Sequence, residues 1–222
     1  IEALNLLLDV GMKTIKIPSG EVSNELLLRE IAKHQIEVIL SSGMSSDNEL
    51  DRAVEILKSG ANRKLTILQC TSEYPCPPEQ VGLKYISELK EKYGVAVGFS
   101  DHTLSESIPA VAVYAGATVV EKHFTLSKSM YGSDAANSLE PESFARMVGF
   151  IKEAEILCNT SPPKDADREY IRGMKQVFEK SLVYKASYPA GHKLSYDDVT
   201  AKKPGDGIPT RRVDDFVGKE LK

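Results

Sequence analysis

A regular alternation of short apolar segments with helical patterns is the feature of this chain that most restricts its fold. Five apolar, β-branched segments recur at intervals of about 25 to 30 residues. They predict strands at residues 14–18, 38–42, 65–71, 95–99 and 118–121. Continuous apolar runs of this length are typical of strands buried on both faces of a parallel sheet. Because each run is followed by a helical pattern, the chain is expected to have an α/β fold.

The helical patterns are expected to cover the outside of that sheet. Asn24 stands where it can cap the first of them, and Asp47 opens the second. The helix between the last two strands is predicted over residues 105–116, and the final one runs from residue 141 to about 157. Strand, helix and strand in succession make the two strands parallel.

Parallel units of this kind close into an eight-stranded barrel or remain an open doubly wound sheet. No Gly-rich dinucleotide fingerprint follows the first strand, which disfavours the open sheet. Residues 1–159 are therefore expected to hold about five βα units of a TIM (β/α)8 barrel, whose first three strands precede Ile1. Residues 160–180 are predicted to form a linker with a short helix, and residues 181–222 a small β-rich module.

Composition excludes several classes of function. The net charge is −4 and charges of both signs are interspersed, which disfavours a protein that binds nucleic acid or a membrane surface. No apolar run reaches the roughly 20 residues of a membrane span. Three cysteines without paired motif spacing indicate reduced thiols and a cytoplasmic protein.

Two histidines follow the fourth and fifth predicted strands at equivalent positions. His102 and His123 should lie at the C-terminal edge of the sheet, where parallel α/β folds place their ligands. Neutral imidazole is a good ligand for Mn, Fe, Co or Zn, and Asp101 and Glu121 add carboxylates nearby. The alternative is that each histidine only ends its strand and hydrogen-bonds a loop.

Small hydroxyls and a lysine mark the same edge of the other strands. Lys16, Ser19, Ser41, Ser72 and Ser100 lie at or just after strand ends, in a pattern that suits a phosphate or carboxylate. We call these five residues the anion cradle. With a divalent metal on the other side of the site, the cradle suits an anionic substrate that reacts with a carbonyl. Asp134 could hydrogen-bond a polyhydroxylated partner, although an ordinary Asx turn explains it equally well.

Six segments together resemble a known family. They are residues 16–21, 40–44, 69–75, 98–103, 121–125 and 138–141, which read KIPSGE, LSSGM, QCTSEYP, GFSDHT, EKHFT and SLEP. Their order and spacing resemble those of the sialic acid synthase family. Its members include N-acetylneuraminate and N,N'-diacetyllegionaminate synthases, which condense phosphoenolpyruvate with an N-acylated mannosamine-type sugar.

The resemblance implies a TIM barrel followed by an antifreeze-like (SAF) domain, and it implies roles for residues at matching positions. His102 and His123 match manganese ligands, with Mg²⁺ or Co²⁺ as alternatives, and Glu121 matches an active-site carboxylate that is catalytic together with them. The positions that match phosphoenolpyruvate-binding residues are Lys16, Ser19, Ser41, Ser72 and Ser100. The positions that match sugar-binding residues are Tyr74, Asp134 and Lys203, the last contributed by the partner subunit of a domain-swapped homodimer.

Departures from the family pattern leave alternatives open. The first three barrel strands are not in this sequence, the SAF domain is expected to be truncated at its C-terminus, and the chain by itself is therefore expected to be inactive. Lys203 stands where the family commonly has Arg, and Ser72 where several members have Asn. The motifs do not fix the sugar. A phosphoenolpyruvate-condensing barrel that makes another ulosonate, or a fragment that only binds sugar or phosphate, remains an alternative.

Overall fold

The computed structural model describes residues 1–62, 64–162 and 168–222. Two compact units divide the chain, Ile1–Thr160 and Ser161–Lys222. The first contains a parallel sheet in which neighbouring strands follow the order of the chain. Its strands are β1 (Thr14–Ile17), β2 (Glu37–Ser41), β3 (Lys64–Cys70), β4 (Ala96–Asp101) and β5 (Val120–Lys122). Its helices are α1 (Glu2–Asp9), α2 (Glu25–Ala32), α3 (Asp47–Lys58), α4 (Tyr85–Tyr93), α5 (Ile108–Tyr114) and α6 (Pro141–Asn159).

This arrangement of βα units in chain order is a half-barrel, and the prediction of a parallel α/β fold is confirmed. Two helices begin where the sequence places them. The Asn24 side chain accepts the Leu27 N–H at 3.2 Å, and Ser46 and Glu49 form a reciprocal capping box at the start of α3. The capping residues in the sequence therefore agree with the observed starts of these two helices.

The predicted element boundaries differ from the structure by up to three residues. β5 begins at Val120 instead of Thr118 and extends to Lys122, which places this lysine inside the sheet. α5 begins at Ile108 and not at residue 105, because the Ser105 hydroxyl accepts the backbone N–H groups of Ser107 and Ile108. A serine that bonds its own neighbours in this way holds them in a turn and delays the helix.

The apolar core lies between the sheet and its helices. In β1 to β3 alternate residues face α2 and α3, and in β4 alternate residues face α4 and α5. The buried residues on this face of the strands are Ile15, Ile17, Val38, Leu40, Leu65, Ile67, Val97 and Phe99. The residues between them point to the opposite face of the sheet, at the inside of the half-barrel.

The second unit contains α7 (Glu169–Phe178) and a two-stranded antiparallel sheet of β6 (Ser181–Tyr184) and β7 (Val199–Lys202). Asp198 accepts hydrogen bonds from the Ser195 backbone and hydroxyl, each at 2.8 Å, and this turn leads into β7. Residues 163–167 of the predicted linker lie outside the described residues. No helix among the residues that the structure describes is long and apolar enough to cross a membrane.

Gly98 in β4 permits the close approach of β5. A Cβ atom at this position would lie 2.6 Å from the Val119 carbonyl oxygen and 2.6 Å from Leu68 Cδ2. We expect Gly98→Ala to lower the free energy of unfolding by about 1–3 kcal/mol, because backbone and core would have to shift. Gly149→Ala is the matched control: nothing lies within 4 Å of a Cβ there, and α6 should gain about 0.5–1 kcal/mol. Urea unfolding of both variants measures the difference, and equal stabilities would contradict this packing.

Candidate active site

The inner face of the half-barrel is polar where the outer face is apolar. Alternation along the strands directs Lys16, Ser41, Cys70, Ser100 and Glu121 away from the helices. Each of these residues lies in the C-terminal half of its strand or in the middle of a short one. The edge that the sequence predicted for ligands is therefore the edge at which the functional side chains gather.

Glu121 joins residues from three strands. Its Oε1 accepts a hydrogen bond from the Ser100 hydroxyl at 2.8 Å and lies 3.2 Å from Lys16 Nζ. A flat sheet would separate β1 from β5 by about 19 Å, because neighbouring strands lie about 4.8 Å apart. The contact between Lys16 and Glu121 therefore requires a strongly curled sheet. The side chains of Lys16 and Glu121 are both more than one-third exposed, so this ion pair adds little to the free energy of unfolding. Its main effect is to fix where the two side chains lie.

The remaining residues of the predicted anion cradle lie around this group. The hydroxyls of Ser19, after β1, and Ser72, after β3, are 3.4 Å apart. Ser41 and Ser100 are buried in their strands. All five residues of the cradle thus lie at one edge of the sheet. Direct contacts join four of them in two groups, Lys16 with Ser100 through Glu121, and Ser19 with Ser72.

His102 and His123 come together as the sequence predicted. Their ring centres are 5.3 Å apart, with an angle of 61° between the ring planes. Tyr74 packs on both, with ring centres 4.2 Å from His102 and 5.8 Å from His123. His123 Nδ1 also lies 3.8 Å from Asp134 Oδ2. Two predicted site residues from different loops, Tyr74 and Asp134, therefore lie beside the imidazoles.

The hydrogen bond of His102 fixes which nitrogen is free. His102 Nδ1 lies 2.7 Å from the Thr71 carbonyl oxygen, which can only accept, so Nδ1 carries the proton. In the neutral ring Nε2 then has an unshared electron pair. A backbone carbonyl that holds Nδ1–H is the usual partner of a metal-binding histidine. The two rings are thus suited to a divalent ion such as Mn²⁺ or Co²⁺.

The protein supplies few other ligands nearby. Among residues 1–62, 64–162 and 168–222, no three His, Cys, Asp or Glu side chains converge as a metal cluster. An ion held by His102 and His123 would therefore keep several positions for water or for oxygens of a substrate. Such an open coordination sphere is typical of a catalytic site and not of a structural one.

The two histidines have pKa values that are shifted in opposite directions. Burial disfavours the charged form of His102, but its contacts with Cys70, the Thr71 carbonyl and the charge of Asp101 outweigh this and raise its pKa. Burial lowers the pKa of His123, and the positive charge of His102 lowers it further. These shifts make His123 the easier of the two to deprotonate and therefore the readier ligand for a cation.

The structure adds two features near the histidines that the sequence did not predict. Asp101 was expected to add a carboxylate beside the histidines, but alternation from Phe99 turns it to the helix side, where it is fully buried and pairs with Lys122. Cys70 is buried at the end of β3, and its Sγ lies 3.9 Å from His102 Nδ1. The period of two along β4 could have located Asp101, whereas nothing in the sequence indicated the contact between Cys70 and His102.

Lys203 belongs to the second unit, where its ammonium lies 4.9 Å from the centre of the Phe178 ring. Its role at the sugar site of a partner subunit stays a prediction.

Removal of the Cys70 thiol should lower the pKa of His102, because the sulfur favours the imidazolium. We expect Cys70→Ala to shift the His102 titration to lower pH in NMR spectra of the metal-free protein. Cys158→Ala, at an exposed cysteine, should leave it unchanged. An unaltered His102 titration in Cys70→Ala would contradict the assigned contact.

Comparison with known proteins identifies relatives of both parts of the chain. The profile of the NeuB family matches residues 1–161, and that of the SAF domain matches residues 179–222. The N,N'-diacetyllegionaminic acid synthase of Campylobacter jejuni is 39% identical over 221 residues, which cover 99% of this chain and 66% of that protein. The N-acetylneuraminate-9-phosphate synthase of Homo sapiens is 33% identical over 222 residues, which cover 99% of this chain and 61% of that protein. The chain spans about two thirds of the length of the curated relatives it matches.

Solved structures give the same result. The N-acetylneuraminic acid (sialic acid) synthetase of Leptospira borgpetersenii, in complex with citrate, superposes with a TM-score of 0.70 at 34% identity, covering 78% of this chain and 61% of that one. A DAHP synthase of Thermotoga maritima reaches a TM-score of 0.60 at 17% identity and 71% and 49% coverage, which shows a shared fold alone. The resemblance that the six motifs indicated is confirmed. The chain belongs to the NeuB family and carries a SAF domain.

Proposed function

We propose that the full-length protein condenses phosphoenolpyruvate with an N-acylated mannosamine-type sugar to form a nonulosonic acid and phosphate. The observation that carries this proposal is the cluster of Lys16, Ser100 and Glu121 at the same edge of the sheet as His102 and His123. It combines an anion cradle with a pair of free imidazoles. The relatives named as legionaminic, pseudaminic and sialic acid synthases support the substrate class.

In this proposal Lys16 and the serines bind the phosphate and carboxylate of phosphoenolpyruvate. Hydroxyl and ammonium donors in a partly buried site stabilise negative charge more strongly than water does. The four serines are Ser19, Ser41, Ser72 and Ser100. They leave the enol carbon exposed toward the histidine side of the site, where the sugar binds.

A divalent ion, for which Mn²⁺ is our proposal, would act as a Lewis acid on the open-chain sugar aldehyde. His102 and His123 would hold this ion. Tyr74 and Asp134 border them and would hydrogen-bond the sugar. Lys203 of a second subunit would complete the sugar site in a domain-swapped homodimer.

The bonds of the proposed reaction balance without an external oxidant or reductant. C3 of phosphoenolpyruvate forms a bond to the aldehyde carbon, and the aldehyde oxygen takes a proton. Water adds at C2, and the bond from C2 to the phosphate oxygen breaks to release inorganic phosphate. We assign Glu121 to receive the proton of the attacking water, because it is the carboxylate that faces this group of serines.

The three free cysteines agree with a reducing compartment, and we place the protein in the cytoplasm.

Phosphate release from phosphoenolpyruvate tests this proposal. The full-length protein should release phosphate only when N-acetylmannosamine or a 2,4-diacetamido sugar is present, and the better sugar names the natural acceptor. A chelator should abolish the release, and Mn²⁺ should restore it. Release that needs no sugar, or none with either sugar, would overturn the assigned reaction.

Substitution of Glu121 tests its assigned role. We expect Glu121→Gln to lower kcat by about 100-fold or more, because loss of a general base typically costs this much. Glu55→Gln is the matched control, since Glu55 is an exposed partner of Arg52 on α3. Its kcat should stay within about twofold of the parent, as is usual for surface substitutions. Equal kcat values for the two variants would remove Glu121 from the mechanism.

The metal assignment predicts a contrast between histidines. His102→Ala should abolish turnover at all Mn²⁺ concentrations that saturate the parent, because half of the protein ligands are lost. His34→Ala should retain it, since His34 lies in the turn after α2, where its side chain is 3.8 Å from Glu30, and it takes no part in the proposed site. Unchanged turnover in His102→Ala would contradict the metal site.

A further inference from the structure

A buried ion pair lies directly behind the two histidines, on the helix side of the sheet. Lys122 Nζ is 2.7 Å from Asp101 Oδ2, and the two side chains are 1% and 0% exposed. The other Asp101 oxygen accepts the Thr103 N–H at 2.8 Å, and Lys122 also donates to the Thr103 carbonyl. Both charges are therefore compensated by good hydrogen bonds.

Such a pair is poorly explained by stability alone. Removal of two charges from water is costly, and apolar residues of similar volume at a buried site are often as stable or more stable. Along β4, Val97 and Phe99 occupy the same face as Asp101 and pack in an apolar cluster. An Asp–Lys pair at the end of this face interrupts the core, so an effect on the position of the strand ends explains it better than stability does.

The pair is the last contact between β4 and β5 before the histidines. The two strands pair over only three positions, Phe99 with Val120, Ser100 with Glu121, and Asp101 with Lys122. His102 and His123 follow immediately. The last two rungs are both cross-linked by side chains, one on each face of the sheet, through Ser100 with Glu121 and Asp101 with Lys122. Since the ladder is so short, these links restrain the ends of the two strands.

We propose that Asp101 and Lys122 are positioning residues that hold His102 and His123 at the separation a divalent ion requires. This inference rests on the metal site of the proposed function. The pair touches neither ion nor substrate. It acts by locking the register and spacing of the two strand ends, so that both rings face one ion before it arrives.

The test is the affinity of the full-length, substrate-free protein for Mn²⁺, measured by the EPR signal of the free ion. Asp101→Asn with Lys122→Met keeps the volumes and removes both charges together, so no unpaired charge is buried. We expect this double variant to bind Mn²⁺ about tenfold to 100-fold more weakly, the range found when groups behind metal ligands are changed. Its melting temperature without metal reports whether it folds, and Asp101→Asn alone, which keeps the shape of the carboxylate but leaves the Lys122 charge without its partner, provides a second variant.

An exposed pair of the same residue types is the matched control. Asp51 and Lys92 are 2.8 Å apart and about half exposed, and they lie on the helices α3 and α4. Asp51→Asn with Lys92→Met should leave Mn²⁺ affinity unchanged. Affinity within about twofold of the parent in folded Asp101 and Lys122 variants would overturn the proposal, as would a parent protein that binds no Mn²⁺. Because the assay contains no substrate, a failure of the condensation reaction would leave this result intact.

Discussion

The short pairing of β4 with β5 is the constraint on which the site depends. Three residue pairs set the register, and the side chains of the last two alternate between the faces of the sheet. The side chains of the Ser100–Glu121 pair point into the half-barrel, and those of the Asp101–Lys122 pair point toward the helices. A slip of one residue would exchange these faces, burying Glu121 without a partner and exposing the ion pair. The chemistry of the site and the packing behind it are therefore fixed by the same ladder.

Curvature of the sheet is the second requirement. Lys16 comes from β1 and Glu121 from β5, and they meet only because the sheet curls. The outer face supplies the apolar burial that holds α2 to α5 against the strands, whereas the inner face gives up hydrophobic contacts in favour of hydroxyls and charges. Stability and function are thus divided between the two faces of the same strands. This division explains why the strands could be read as apolar runs while their ends carried polar residues.

Much of the site could be predicted because strand ends in a parallel sheet share one edge. That rule placed Lys16, Ser100, Glu121 and the two histidines together without any knowledge of their contacts. It could not say which way each side chain points, so Asp101 was assigned to the wrong face. The contact of Cys70 with His102 depends on the packing of loops and has no local signal. Ser105 illustrates another limit, because its hydroxyl competes with the helix for backbone N–H groups.

The central claim is that His102 and His123 hold one divalent ion beside the anion cradle. Its most direct test is anomalous scattering from crystals of the full-length protein grown with Mn²⁺ and phosphoenolpyruvate. The account predicts a single strong peak about 2 Å from a ring nitrogen of both histidines, with Nε2 as the ligand atom of His102. The phosphate of phosphoenolpyruvate should lie against Lys16. A manganese peak elsewhere in the half-barrel, or phosphoenolpyruvate bound with no ion at the two histidines, would contradict it.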